Sequence, residues 1–585
     1  MLMQGSKEAS RWTVAPPHPG VTELAERLKV SAILAQALLN RGLSVAEDCR
    51  SFLQPSLKSL HEPGLLPGIC KAAERIAQAV RDRQRIIIYG DYDVDGITAT
   101  SILWHALKLL GGDVGYYIPR RIEEGYGLSS QALAQIIDDG AKLIITVDCG
   151  VTAVEPALLA CQRGVDLIIT DHHQWRDGDL PQCIAIVHPR LPVEGQAPYP
   201  NPHICGAGVA FKLAWQTALS INGSTRVSPE FRVFLVEAMA LAALGTIADV
   251  VPLIGENRIL AHFGLSGLRQ SKLIGVQALI ASAALTGQAL DSYHVGFCLA
   301  PRLNACGRMG HAALAVKLLT EATAAEAAEI ADYLETQNRS RQGLERTILE
   351  QALAQLQTLA FSAENDRAVV LASETWHPGV IGIVAARLVD RLCRPAIMIA
   401  LSNGQGQGSG RSIAGFHLAN ALSACGSHLL AHGGHEMAAG LKIESQNVDA
   451  FRAAFSQYAT QNVQLEMMQP EIKLEAAAEL GEISEALVSD LHRLGPFGHG
   501  NRKPLLWFRD VQVSAPPRVV GKNSEHLQLI VRQGNARIKC IAFRQAALAD
   551  RLTPGTPLEL AAEPSVNEFN GRRSVELEVK ELRLR

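Results

Sequence analysis

No two of the eleven cysteines stand in a C-x-x-C spacing, and the first twenty residues contain no apolar run of the kind a secretion signal requires. A chain made for a reducing cytoplasm is expected. Nor is there an uninterrupted apolar stretch long enough for a membrane helix. The longest candidate, Val233 to Val251, is broken by Glu237 and Asp249, so no membrane partner is expected. Charge of one sign is missing as well: 55 basic against 58 acidic residues leave a net charge of -3. That excludes a polycationic field holding nucleic acid indiscriminately, so any nucleic-acid contact must be local. There is no internal repeat.

What is present is ordinary globular composition, 48% hydrophobic and 19% charged, which excludes a chain that stays disordered for want of apolar surface. Its 585 residues predict two to four compact units at roughly 150 residues each. Residues 1 to about 60 hold one helix-like run, TELAERLKVSAILAQALLNRG, and no interpretable motif. From Arg85 to Val187, β-branched runs (RIIIYG, VGYYI, KLIITVD, VDLIIT, CIAIV) alternate with helical patterns, the grammar of βαβ units and a parallel sheet. Helical patterns then dominate to about residue 320, and Glu321 to Ala360 reads as one long connecting helix.

A second α/β unit follows, with strand-like AVVLAS and PAIMIAL, the Gly-rich NGQGQGSGRS, and HGGHEMAAG at its end near residue 460. From Leu505 onward five short strands suggest a small barrel such as an OB-fold. Residues 501–585 carry 15 Lys and Arg against 9 Asp and Glu, a local excess suited to a nucleic-acid backbone. Trp507, Phe508, Phe543 and Phe569 are available there for stacking on bases, though each type is more often a core residue.

The chemistry concentrates at strand ends. Asp91, Asp93 and Asp95 alternate directly after RIIIYG and directly before a helix. An EF-hand loop fails here, because its twelfth position would be Ile102 and a strand precedes it. An acidic helix cap explains one of the three Asp residues. A second strand ends at Asp148 and a third at Asp171-His172-His173. Open parallel sheets place their sites beyond the carboxyl ends of strands, so these segments can share one crevice. Asp249, in the otherwise apolar LGTIADVVPL, would be costly to bury without a cation. Carboxylates with one or two imidazoles suit Mn²⁺ or Mg²⁺, and two such ions suit phosphoester hydrolysis.

Taken in order, Asp93-x-Asp95-Gly96, Asp148, Asp171-His172-His173 and Asp249 resemble the motifs of the DHH phosphoesterases. The segments IPRRIEEGYGLS, PRLNACGRMG, WHPGVIGIVAARL, GSGRS, GGHEMAAG and NEFNGRRS are similar to its branch of single-stranded-DNA-specific 5′ to 3′ exonucleases. The resemblance implies an α/β fold in which a parallel-sheet DHH domain is joined by a long helix to a DHHA1 domain, with a C-terminal OB-fold. The expected divisions are 1–60, 61–320, 321–360, 361–465 and 466–585. It further implies two divalent cations, Mn²⁺ or Mg²⁺, held by Asp93, Asp95, Asp148, His172 and Asp249, with Asp148 as the bridge. His173 would face the scissile phosphate, and Asp91 and Asp171 would orient ligands. Arg121, Arg302, Arg308, Ser409, Arg411, Gly434 and His435 resemble phosphate-contacting positions. Release of mononucleotides from single-stranded DNA, in recombination and mismatch repair beside a single-strand-binding protein and a helicase, is the implied activity. The metal motif alone leaves open a relative acting on pyrophosphate, short oligonucleotides or cyclic dinucleotides, and a silent scaffold that binds single strands.

Overall fold

A computed structural model of the chain describes residues 10–120, 127–175, 178–195, 197–308, 311–569 and 571–585. They form two compact units, one holding Asp332–Ile472 and the other Trp12–Gly307, His311–Ala331 and Lys473–Arg585.

In the larger unit the β-branched runs become β1 (Arg85–Gly90), β2 (Asp113–Tyr117), β3 (Leu143–Val147), β4 (Asp166–Thr170) and β5 (Ala185–Val187). All pair in parallel, in the order β2-β1-β3-β4-β5. Every residue of β3 is buried, which is why it reads as a continuous apolar run and does not alternate. Gly90 lies beside Val147, and Val147 beside Thr170. The next residues, Asp91, Asp148 and Asp171, therefore leave the sheet side by side. Strand order reverses between β1 and β3, the point at which open sheets of this order form a ligand crevice.

Three helices gather beside that crevice, α1 (Val94–Leu109), α2 (Gly206–Asn222) and α3 (Pro229–Ala248), and α4 (Gly255–Gln270) packs on α3, which contacts all three others. By length and composition α3 alone among the described residues could cross a membrane, with a mean hydropathy of 1.8. Most of its apolar surface instead goes into the core, where Leu241 to Leu244 are fully buried, while Val233 and Val236 stay exposed. Glu237, the interruption noted in its sequence, accepts hydrogen bonds from the Ser271 hydroxyl and the Lys272 backbone N–H at 2.8 and 2.6 Å.

The smaller unit contains most of α5, a continuous 35-residue helix over Ala324–Thr358. Its sheet runs β9-β10-β8-β7-β6, built from β6 (Val369–Ser373), β7 (Ala396–Ser402), β8 (Gln405–Arg411), β9 (Ala431–Gly434) and β10 (Ala438–Glu444). Of the Gly-rich NGQGQGSGRS, Asn403-Gly404 make a turn and Gln405–Arg411 form the central strand β8. Its alternate glycines make room for bulky neighbours: a Cβ on Gly408 would lie 2.7 Å from the Leu441 side chain.

At the C-terminus β11 (Leu506–Val513), β12 (His526–Gln533), β13 (Ala536–Ala542), β14 (Pro557–Phe569) and β15 (Arg572–Leu584) close into a ring. The pairings run β11–β14–β15–β13–β12 and back to β11, with two further short strands attached. Phe508, Leu529, Leu560 and Leu577 fill it, and Leu34, Leu38 and Cys49 from the N-terminal segment belong to the same core. Arg41 fastens the junction by donating to Glu475 and to Asn501, each at 2.9 Å.

Candidate metal centre

Short connections leave the acidic residues little freedom. Asp93 is the N-cap of α1, its carboxylate accepting the backbone N–H groups of Asp95 and Gly96 at 2.9 and 3.2 Å. Asp95, in the first turn, turns its carboxylate to the start of α2, where Gly206 and Ala207 donate at 2.6 and 2.8 Å. A helix N-terminus presents unpaired N–H groups that favour an anion, so α1 and α2 are tied through one carboxylate. Asp148 follows β3 at φ 62°, in the left-handed region.

Around these residues the ligand atoms fall into overlapping groups. Asp91, Asp93 and Asp148 can bring three carboxylate oxygens within 4.8 Å of one another, and Asp95, His172 and Asp249 can do the same with two oxygens and a ring nitrogen. His172 Nε2 stands 3.0 Å from Asp148 Oδ1, 3.6 Å from Asp95 Oδ2 and 3.7 Å from Asp249 Oδ2. His173 joins Asp148 and His172 in a third such group, its Nδ1 standing 3.9 Å from Asp148 Oδ1. Asp171 Oδ1 accepts its Nδ1–H at 2.8 Å and its backbone N–H at 3.1 Å, while Asp171 Oδ2 accepts the Val151 N–H at 2.9 Å.

The electrostatics separate the two histidines. Burial opposes the charged form of both. For His172 burial wins over the neighbouring Asp95, leaving it at about 4. For His173 the hydrogen bond to Asp171 and that residue's charge win, raising it to about 9. Asp171 itself falls to about 2 in spite of burial, because His173 holds its charged form. Burial, then the charges of Asp95 and Asp93, push Asp249 up to about 8. Asp148 is 1% exposed, and burial followed by the charges of Asp95, Asp93, Asp91 and Asp249 holds its carboxyl well above the usual range. Such a cluster is unfavourable by itself and is relieved by cations between the oxygens. Oxygen-rich donors with one imidazole fit hard divalent ions such as Mn²⁺ and Mg²⁺.

The other residues singled out from the sequence occupy two places. Arg302 lies on the helix Ala300–Arg308, where it donates to the Cys298 carbonyl at 2.6 Å. In the smaller unit, Ser409, Arg411, Gly434 and His435 gather at one end of the sheet. Arg411 opposes Ala438, the His435 N–H donates to the Ala438 carbonyl at 2.8 Å, and Gly434 opposes Ala439. Arg411 also donates to Ser409 Oγ at 3.2 Å. Arg121 and the Arg308 side chain lie outside the described residues, as does the side chain of Phe569.

Three residues of the site escaped sequence reasoning. A Cβ on Gly206 would stand 2.7 Å from Asp148 Cβ, and one on Gly245 would stand 2.6 Å from Asp95 Oδ1. Asn304 accepts the Val94 N–H at 3.1 Å. The only signal was a glycine opening or ending an apolar helix, which marks close approach of a backbone without saying to what.

Comparison with known proteins agrees with this architecture. The family model described as DHH family, N-terminal domain matches residues 85–245, that of the DHHA1 domain matches 365–461, and that of the RecJ OB domain matches 474–581. A protein of Bacillus subtilis (strain 168) named single-stranded-DNA-specific exonuclease RecJ is 37% identical over 98% of this chain and 70% of its own length. The chain belongs to the RecJ family. Two crystal structures of RecJ from Thermus thermophilus, in complex with Mn²⁺ and with Mg²⁺, are each 31% identical. The first has a TM-score of 0.83 over 99% of this chain and 80% of that one. The second has 0.76 over 98% and 78%. The RecJ architecture thus runs through both units, and the DHH match contains every strand-end residue of the site, with Asp249 just beyond it.

Proposed function

We propose that this chain is a divalent-cation-dependent exonuclease that hydrolyses single-stranded DNA from the 5′ end to mononucleotides. The observation carrying the reading is the convergence of Asp91, Asp93, Asp95, Asp148, His172 and Asp249 on the crevice at the strand reversal, in a chain of the RecJ family. Asp93, Asp95, Asp148, His172 and Asp249 would hold two ions, Mn²⁺ or Mg²⁺, and Asp91, clustered with Asp93 and Asp148, would add a donor there. When bound, the ions polarise phosphate oxygens and lower the pKa of water.

The protein's own contribution is orientation and charge. Asp171 fixes the His173 ring through Nδ1 and keeps it cationic, so His173 can donate to a phosphate oxygen as negative charge grows on it. Asp95 is held by the start of α2, which keeps the ligand oxygens in place before substrate arrives. Arg302, Ser409, Arg411, Gly434 and His435, together with Arg121 and Arg308, serve as phosphate contacts, since guanidinium forks and open backbone N–H groups match phosphate.

In domain terms we read 1–60 as an extension, 61–320 as the DHH domain, 321–360 as the connecting helix, 361–465 as the DHHA1 domain and 466–585 as the single-strand-binding barrel. The setting that fits is cytoplasmic recombination and repair, including mismatch repair, beside a single-strand-binding protein and a helicase. The test is digestion of single-stranded DNA labelled at either end, with Mn²⁺ or Mg²⁺ and with chelator, against pyrophosphate and cyclic dinucleotides. Mononucleotides released from the 5′ label first, only with metal and not by Asp148→Ala, are expected. Preference for the small substrates would overturn the exonuclease reading, and metal content near zero would favour a silent scaffold.

A further inference from the structure

The Asp171-His172-His173 turn leaves the sheet at the end of β4, and its backbone is held from two sides. The Asp171 N–H donates to the Val187 carbonyl at 3.1 Å, and Asp171 Oδ1 accepts the N–H groups of His172 and His173 at 2.8 and 3.1 Å. The carbonyl side is served from beyond β5. Thr170 pairs with Val187, so the next residue, His188, stands beside the turn. Its Nε2 lies 2.8 Å from the His173 carbonyl oxygen, while its Nδ1 accepts the N–H groups of Arg190 and Leu191, each at 3.1 Å. A ring nitrogen that accepts carries no proton, so Nε2 carries it and donates to His173. Arg190 donates through Nη2 to the His172 carbonyl. His188 is fully buried, and the Trp175 ring meets it edge-on, with centroids 5.2 Å apart and planes at 81°.

We propose that His188 and Arg190 are positioning residues: by fixing the carbonyls of His173 and His172 they set the directions in which the two imidazoles point, His173 towards phosphate and His172 towards the ions. The proposal rests on the exonuclease reading above. The reason is leverage. A ring points along its Cα–Cβ bond, and that bond turns with the peptide planes on either side of it. The hydrogen bond from His173 Nδ1 to Asp171 leaves the ring free to pivot about one contact, and holding the peptide as well removes the pivot. Filling space alone would suit an apolar side chain at position 188, since burying a ring with two polar nitrogens is tolerated only when both are paired. One of those nitrogens serves the local turn at Arg190 and Leu191. The other reaches the histidine proposed to meet the phosphate. Partners that orient site residues in this way typically contribute about 10- to 100-fold in metal affinity or activity.

The experiment uses the full chain with Mn²⁺ and compares wild type, His188→Asn, His188→Gln and Arg190→Ala, with His188→Asn made also in a His173→Ala background. The Gln amide nitrogen reaches the place of Nε2 and keeps the donor to His173. The shorter Asn side chain puts its oxygen near the place of Nδ1 and keeps only the acceptor for residues 190 and 191. His188→Asn should lower kcat on a 5′-labelled single strand about 10- to 100-fold, with KM and Mn²⁺ affinity nearly unchanged, and His188→Gln should restore most of that loss. In His173→Ala protein the same Asn change should matter by a few-fold at most, because residues that act as a unit are not additive. Arg190→Ala, a change at an exposed side chain, should weaken Mn²⁺ binding in calorimetry by about the same factor without raising KM. Thermal melting is measured throughout. The His188 role is overturned by wild-type turnover in His188→Asn, by an equal loss with and without the His173 ring, or by a kcat that follows the melting midpoint and not the donor. Unchanged Mn²⁺ affinity in Arg190→Ala overturns the other half. Wild-type protein that digests no single strand would instead sink the exonuclease reading, and the calorimetry would still decide the clamp.

Discussion

Gly206→Ala is a single-methyl perturbation aimed at the centre of the site. The added Cβ would stand 2.7 Å from Asp148 Cβ, 2.8 Å from its Oδ1 and 2.9 Å from its Cγ. Carbon atoms settle at about 3.5–4.0 Å, so the overlap is about 1 Å. Asp148 cannot swing away. Its side chain is buried, its backbone is in the left-handed region, and β4 and His172 lie beside it. The alternative is a shift of the α2 start, which stretches the 2.6 and 2.8 Å hydrogen bonds from Gly206 and Ala207 to Asp95. Either way a proposed metal ligand is disturbed. Overpacking of this size costs about 1–3 kcal/mol of stability, and a ~1 Å misplacement costs ~10²-fold in rate. The assay is turnover of a 5′-labelled single strand at saturating Mn²⁺, with melting and strand affinity measured in parallel. A drop in kcat of about that size, with affinity retained, is expected. Activity within a few-fold of wild type would refute the reasoning, because it would mean that the ligands tolerate displacement.

Further expectations follow from the same geometry. His173→Ala should reduce turnover ~10²- to 10³-fold while Mn²⁺ affinity is kept, whereas His172→Ala should weaken Mn²⁺ binding in calorimetry; the reverse pattern would exchange the two roles. For metal-free protein, stability should fall between pH 6.5 and 8. Asp249, at about 8 when folded, keeps a proton that the unfolded chain has already lost, and His173, at about 9, loses its favourable charge in the same direction. His172 acts oppositely only below its unfolded value, outside this window. Added Mn²⁺ should therefore raise the melting midpoint more at pH 8 than at 6.5, and a flat or inverted profile would contradict this. Arg258→Met should lower the melting midpoint and expose the chain to protease near Arg493. This guanidinium is buried and donates to the carbonyls of Phe52, Arg493 and Leu494, each costing about 1–3 kcal/mol if left unpaired. Wild-type melting would show that water replaces it.

The parallel sheet was legible because RIIIYG, KLIITVD and VDLIIT are β-branched runs ending in residues that cannot continue a strand. Once the strands are parallel, their carboxyl ends must emerge on one side, so Asp91, Asp148 and Asp171 could be placed together before any coordinates. The Gly-rich strand β8 was illegible for the opposite reason. Its pairing is decided by Leu441, Ile399 and Leu418 filling the space above the glycines, and local propensity reports only that glycine favours turns. Gly206 and Gly245 were hidden likewise, since what a glycine admits depends on a partner distant in sequence.

The N-terminal segment shows the same limit most clearly, and it bears on how the barrel can be tested. The helices Val21–Leu28, Ala32–Leu39 and Ala46–Leu53 carry no chemistry, which is why residues 1–60 had no interpretable motif. Their apolar faces are nevertheless spent on the barrel: Leu24, Leu34, Leu38 and Leu53 lie in one core with Leu487, Leu491, Phe508 and Leu560. Cutting the chain before the barrel would expose that core and take Glu475 and Asn501 from Arg41 and the Arg493 and Leu494 carbonyls from Arg258, so lost DNA binding in a truncated protein would report unfolding as readily as lost contacts. The N-terminal segment and the barrel are one folding element made from both ends of the chain. A hold of the barrel on DNA would therefore be separable from its structural role only by changes on exposed surface, as at Phe543, which is 49% exposed and outside that core.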